Sequence, residues 1–175
     1  MTGGERKRGR PAPSSEAAER RMKAQRTRDT AAELAVRSAL HRLGLRFKVN
    51  RPVIGLRRKA DVVFPTEKVA VFIDGCFWHG CPLHATWPKA NADFWRAKIE
   101  ANKARDRATD ETLEAAGWTV LRCWEHELPR EVGQRVLAVI TARRSASSLS
   151  ATSRLSRVRT REVRTLDHHD SEEQI

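Results

Sequence analysis

The spacing of apolar positions divides the chain into a patterned middle and two unpatterned ends. Val36, Leu40 and Leu43 fall on one helical face. Thr30 and Glu33 have the spacing of a capping box and Gly44 supplies a stop, so a helix is expected over 30–43. Two short strands follow, one around 45–50 and one at 60–64, separated by the basic residues Arg57, Arg58 and Lys59. Residues 65–68 (PTEK) read as a turn into 69–73 (VAVFI), a β-branched run short enough to be a buried central strand, and this order makes an antiparallel hairpin. Residues 93–116 form one long helix or two joined by a kink, with Phe94, Ala97, Ile99 and Leu113 inward and Lys98, Lys103, Arg105 and Arg107 outward. Gly117 ends it, and 118–124 read as another core strand. Pro129 opens a last helix with a stripe at Val132, Val136, Val139 and Ile140. Such an order predicts an α/β domain, a mixed sheet flanked by helices, without internal repeats.

The ends lack this pattern. Residues 1–20 and 144–175 hold too little apolar surface to offset the entropy of ordering, so both are expected to be disordered tails around a domain at 21–143. Charge is uneven as well. The chain carries +12 from 34 basic and 22 acidic residues, and residues 1–28 alone hold nine basic against three acidic. So basic an arm suggests a polyanionic partner, most often nucleic acid, although solubility alone is the plainer explanation. Within 21–29, Met22 stands among Arg26, Arg28 and other cations. It is either a tolerated surface methionine or an apolar finger carried onto DNA. No apolar run reaches membrane-spanning length, and no signal-peptide core opens the chain.

Reactive side chains concentrate just after the central strand. Asp74 and Gly75 end it, and Cys76, Phe77, Trp78, His79, Cys81 and His84 follow within ten residues. Cys76, Cys81 and His84 form a C-x4-C-x2-H array, three ligands of the kind that tetrahedral zinc prefers. His126, at the end of the next core strand, is the natural fourth, and His79 could replace His84. The third cysteine, Cys123, reads as buried packing, and this cysteine usage fits a reducing compartment better than a disulfide framework. Asp61 interrupts an apolar strand. Such a carboxylate needs a partner or a metal unless it faces solvent on an edge. Glu33 is either the capping-box residue alone or a site carboxylate, and Phe77 and Trp78 either pack or stack on a ligand.

With these residues assembled, the chain resembles the very short patch repair (Vsr) DNA mismatch endonucleases. The block GCFWHGCP at 75–82 is the most specific match. TRDT at 27–30 before Glu33, DFW at 93–95 with Lys98 and Ile99, Asn102, Arg105 and Asp106, and Gly117-Trp118 leading to Trp124-Glu125 support it in the same order. The match runs from about Met22 to Leu128. The resemblance implies a restriction-endonuclease-like fold of the PD-(D/E)XK superfamily with a structural Zn²⁺. The activity it implies is nicking of double-stranded DNA 5′ to the thymine of a T:G mispair left by deamination of 5-methylcytosine. It further implies that Asp61 and the backbone carbonyl of Ile73 hold a catalytic Mg²⁺, that His79 is the general base, and that Glu33 orients the water shell of the metal. Met22, Phe77 and Trp78 are implied to wedge beside the mispair, with Arg26 and Arg28 in the DNA-binding arm.

Three departures qualify it. Ala60 stands where the family usually has proline. No lysine follows two residues after Asp74, so the base cannot be the lysine of the wider nuclease superfamily. Asp74 stands where some members have histidine, and is either a second metal ligand or a group that tunes His79. The expectation is a monomeric bacterial enzyme of the cytoplasm acting at the nucleoid, with repair-pathway proteins as possible partners. Two other readings remain open: a related restriction-like nuclease for another lesion or site, and a zinc-stabilised DNA-binding module without catalysis.

Overall fold

A computed structural model of the chain describes Arg20 and residues 28–166, with backbone alone for 149–166. Met22, Arg26 and residues 1–19 and 167–175 of the two expected tails therefore lie outside the described residues. The first helix, α1 (Ala31–Arg42), begins as its sequence dictates. The Glu33 amide donates to Thr30 Oγ1 at 3.3 Å, and the Glu33 carboxylate accepts from the amide of Asp29, the residue before the cap, at 3.1 Å, a variant of the capping box. It ends in a Schellman motif. Gly44 (φ 76°) donates to the His41 carbonyl and Leu45 to the Leu40 carbonyl, at 2.9 and 3.1 Å. Leu45 is thereby the buried residue of the cap rather than the start of a strand, and β1 runs later than expected, at Lys48–Pro52.

Strands β2 (Lys59–Phe64) and β3 (Val69–Asp74) follow, then α2 (Ala92–Ala115), β4 (Thr119–Trp124) and α3 (Pro129–Leu166). The four-stranded sheet has the order β1-β2-β3-β4, with β1–β2 and β2–β3 antiparallel and β3–β4 parallel. The parallel pair requires a crossover, which α2 supplies. This is the expected mixed sheet with helices on its faces. One core joins Val62, Phe64, Val69, Val71 and Cys123 to residues of α1 and α3, and the other joins Val63, Ala70 and Phe72 to Leu113 of α2. Cys123 is packing, as anticipated, at 1% exposure.

Two expectations about helices change. The α2 segment is a single helix, and its inward face is Ile99, Asn102, Asp106, Thr109 and Leu113, while Ala97 is exposed. The last helix passes 144 and reaches Leu166, where a disordered tail had been expected from 144. Among the residues up to 148 its buried stripe ends at Ile140, but no Gly or Pro follows within the helix to stop the backbone.

Candidate active site

Because β2 runs antiparallel to β3, it enters the sheet where β3 leaves. This places Asp61, near the start of β2, beside Ile73 and Asp74 at the end of β3. The Ile73 amide donates to Asp61 Oδ2 at 2.8 Å. Asp61 is half-buried on an inner strand, not solvated at an edge, and burial pushes its carboxyl up to about 6 despite that hydrogen bond. It opens on a cleft of about 590 Å³ at this end of the sheet. Glu33 from α1, Asp74 and His79 from the β3 end, Asp106 from α2 and Arg122 from β4 line the same cleft.

Most charges in the cleft are cross-paired. Arg122 Nη1 donates to both oxygens of Asp74 at 2.9 Å, its Nε and Nη2 bind Asp110 at 2.8 and 2.9 Å, and it lies over the Phe72 ring. His79 Nδ1 is 2.5 Å from Asp106 Oδ2 and 3.5 Å from Asp74 Oδ1. Arg58 donates to the other oxygen of Asp106 at 2.7 Å. Burial alone would raise Asp106, but the hydrogen bonds from His79 and Arg58 outweigh it and hold the carboxyl at about 2. An ionised Asp106 at Nδ1 holds a proton there and leaves Nε2 as the ring nitrogen that can exchange one. Glu33 keeps its capping role, binds Arg37 Nη2 at 2.7 Å and lines the cleft.

The β3–α2 loop also contributes to a second cluster. Cys76, Cys81, His84 and His126 each offer a ligand atom, and all four atoms lie within 4.8 Å of one another. Cys76 Sγ is 3.1 Å from His126 Nδ1, and Cys81 Sγ is 3.9 Å from the Nδ1 atoms of both His84 and His126. Burial and the neighbouring Cys81 push the Cys76 thiol up to about 11. Two sulfurs and two imidazoles make a donor set that fits Zn²⁺, whose charge would reverse that shift. His79 is not in this cluster; it belongs with Asp74 and Asp106. The Cys76 amide donates to Glu125 Oε1 at 2.6 Å, tying the loop to the end of β4. Gly80 (φ 61°) lets the loop pass under α2, since a Cβ there would lie 2.8 Å from Ile99 Cγ2 and 2.7 Å from Lys103 Cε.

The family profile described as DNA mismatch endonuclease Vsr matches residues 14–84. The type II nicking enzyme V.NaeI of Lentzea aerocolonigenes is 46% identical over 133 residues, covering 74% of this chain and 78% of that protein. The chain belongs to the Vsr family. The type II nicking enzyme V.XorIIP of Xanthomonas oryzae pv. oryzae is 43% identical over 109 residues, covering 61% of this chain and 78% of that protein. The DNA mismatch endonuclease Vsr of Escherichia coli K12 is 39% identical over 106 residues, covering 59% and 66% respectively. Endonuclease action on DNA is therefore the activity of the family to which this chain belongs. Among the described residues no helix is long and apolar enough to cross a membrane.

Phe77 and Trp78 pack in neither core. They form a half-buried group with Trp95, with ring centroids 5.1 to 5.9 Å apart and edge-to-face geometry, and Phe94 extends it at 5.3 Å from Trp95. The Trp78 carbonyl accepts from Asn102 Nδ2 at 2.9 Å. Trp78 lines the cleft, so the aromatic group borders the carboxylates. Arg28, at the end of the arm, is exposed. Sequence reasoning gave no site role to Asp106, Arg122, Asn102 or Trp95. A signal for two of them was present, because Asn102 and Asp106 sit between Ile99 and Leu113 at 3-4-3-4 spacing, on the face of α2 that must turn inward.

Proposed function

We propose that this chain is a Mg²⁺-dependent endonuclease, restriction-endonuclease-like in fold, that nicks double-stranded DNA 5′ to the thymine of T:G mispairs. One observation carries the reading. A half-buried carboxylate, Asp61, opens on the same cleft as a histidine whose Nδ1 is already held by Asp106. Asp61 takes one hydrogen bond among the described residues, from a backbone amide, and its oxygens are the hard donors Mg²⁺ favours. With the Ile73 carbonyl it would hold the ion, which when bound supplies Lewis-acid stabilisation of charge on the phosphate.

The remaining chemistry belongs to side chains. His79 takes the proton of the attacking water at Nε2, while its Nδ1–H donates to Asp106, which fixes the ring. Asp74, paired with Arg122, supports His79 electrostatically rather than ligating a metal. Glu33, held by Thr30 and Arg37, orients water at the cleft edge. Phe77, Trp78 and Met22 stack beside the mispair, where unstacking a loosened step costs only a few kcal/mol, and Arg26 and Arg28 contact phosphates. Cys76, Cys81, His84 and His126 hold a structural Zn²⁺. The protein works as a monomer in the bacterial cytoplasm, within a DNA-repair pathway.

The test is strand nicking on T:G, other mispaired and matched duplexes, with and without Mg²⁺. Mg²⁺-dependent nicking confined to T:G substrates is expected. Cutting elsewhere would favour a related restriction-like nuclease, and tight binding without nicking a zinc-stabilised DNA-binding module.

A further inference from the structure

The connection between β1 and β2 has a conformation that its sequence does not favour. The Leu56 amide donates to the Val53 carbonyl at 3.0 Å, and both residues between them have positive φ, Ile54 at 47° and Gly55 at 76°. Positive φ at both central positions marks a type I′ turn, for which Asn-Gly and Gly-Gly are preferred. Gly55 suits its place. Ile54 does not, because a β-branched side chain is poorly tolerated at positive φ. Nor does burial compensate: Ile54 is 46% exposed, while Val53 at 3% and the half-buried Leu56 anchor the turn in the core beneath α2. The fold thus leaves an aliphatic residue half exposed at a strained tip, and strain at such a place points to function.

The surroundings indicate the ligand. No acidic residue occurs from Arg46 to Ala60, whereas Arg51, Arg57, Arg58 and Lys59 flank the turn. Arg58 and Lys59 line the cleft, and Arg58 holds the carboxylate that holds His79. An exposed apolar tip among cations, at the rim of a cleft that handles a phosphodiester, matches a duplex, which offers phosphates outside and sugar and base edges within its grooves.

We propose that turn 53–56 is a DNA-reading element. Ile54 packs into a groove of the duplex beside the nicked position, and Arg51, Arg57 and Lys59 take the neighbouring phosphates. The turn thereby contributes to the preference for sequence flanking the mispair. This proposal rests on the nuclease reading of the cleft, but its test does not need nicking.

The full-length protein is assayed without Mg²⁺ for binding to matched and T:G duplexes of varied flanking sequence, across a salt series, alongside thermal melting. Ile54→Asn should raise Tm, because Asn tolerates positive φ, yet weaken binding roughly tenfold, as loss of one buried aliphatic contact implies, and level the flank preference. Arg57→Gln should weaken all duplexes alike and reduce the salt slope by about 0.9. If Ile54→Asn raises Tm but leaves affinity and flank preference unchanged, the turn has no reading role, and the nuclease proposal stands untouched. A fall in Tm would remove the premise of strain and overturn the inference. Wild-type protein that binds through these residues but never nicks with Mg²⁺ would sink the nuclease reading and leave the turn proposal standing.

Discussion

The loop that leaves β3 feeds two polar clusters of opposite design. Cys76, Cys81, His84 and His126 gather four ligand atoms of soft or borderline character, and the two thiols are buried. Four such donors facing one another are a poor arrangement unless a cation sits among them. A few residues away, Asp74, His79, Asp106 and Arg122 are cross-paired, so that the chain balances its own charges. Asp61 differs from them, a raised carboxyl whose one hydrogen bond among the described residues comes from a backbone amide. The difference separates two uses of buried polarity. On the proposed reading, one cluster would complete the fold by taking an ion, and the other would be rigid in advance, so that a proton and a phosphate could be handled without reorganisation.

If that contrast is right, the largest effect comes from breaking the first cluster. Cys81→Ser should remove a ligand and much of the zinc-derived folding energy, which in small zinc domains is on the order of 10 kcal/mol, comparable to the stability of a whole domain. Wild-type protein should contain about one zinc per chain, and the variant should lose both metal and cooperative melting. Metal analysis that finds no zinc in well-folded, active protein would defeat the assignment.

Breaking the cleft should leave the fold intact. Asp61→Ala should lower nicking on the order of a thousandfold or more, since several kcal/mol of charge stabilisation depend on the ion it holds, while T:G binding and melting cooperativity persist. Nicking near the wild-type rate would remove Asp61 from the mechanism. A smaller loss is expected from Asp106→Asn, about tenfold to a hundredfold. The amide can present its NH2 to Nδ1 and so favour the wrong tautomer of His79. The pH–rate profile decides whether Asp106 acts through His79: its basic-group limb should shift in the variant, whereas a purely structural loss would lower the profile without moving it.

Much of this arrangement is legible in the chain because short-range physics decides it. The box at Thr30 and Glu33, the stop at Gly44 and the run before Asp74 depend on near neighbours. The C-x4-C-x2-H spacing does too. What escaped was set by contacts distant in sequence. Arg122 looks like an ordinary strand arginine until β4 pairs with β3 and brings it against Asp74, 48 residues away. Asp106 sits in a helix crowded with charge, and only its spacing from Ile99 and Leu113 betrays an inward position. Leu45 was misassigned because an apolar residue after a helix can serve a cap or a strand, and hydrogen bonds to the preceding turn decide which.

The smallest effect distinguishes the two carboxylates within the cleft by the pH at which each matters. Asp61 is raised from 3.8 to about 6, so the metal-free folded state binds its proton more tightly than the unfolded chain does. Its contribution to stability is complete below pH 4 and is lost as pH rises through about 6. Asp106 is lowered from 3.8 to about 2, so its contribution is present above pH 4 and is lost as pH falls through about 2. The two windows do not overlap. In chelator-treated protein that retains zinc, Asp61→Asn should therefore gain stability relative to wild type between pH 4 and about 6 and keep a constant advantage above it. Asp106→Asn should lose stability relative to wild type above pH 4, and the difference should shrink only as the pH drops towards 2. Mg²⁺ should stabilise wild-type protein above pH 6, where Asp61 is ionised, and have no such effect on Asp61→Asn. Chemical denaturation at stepped pH measures all three. Parallel pH curves for wild type and Asp61→Asn from pH 4 to 7 would mean that Asp61 is not a strained acid awaiting a cation, and the contrast within the cleft would collapse.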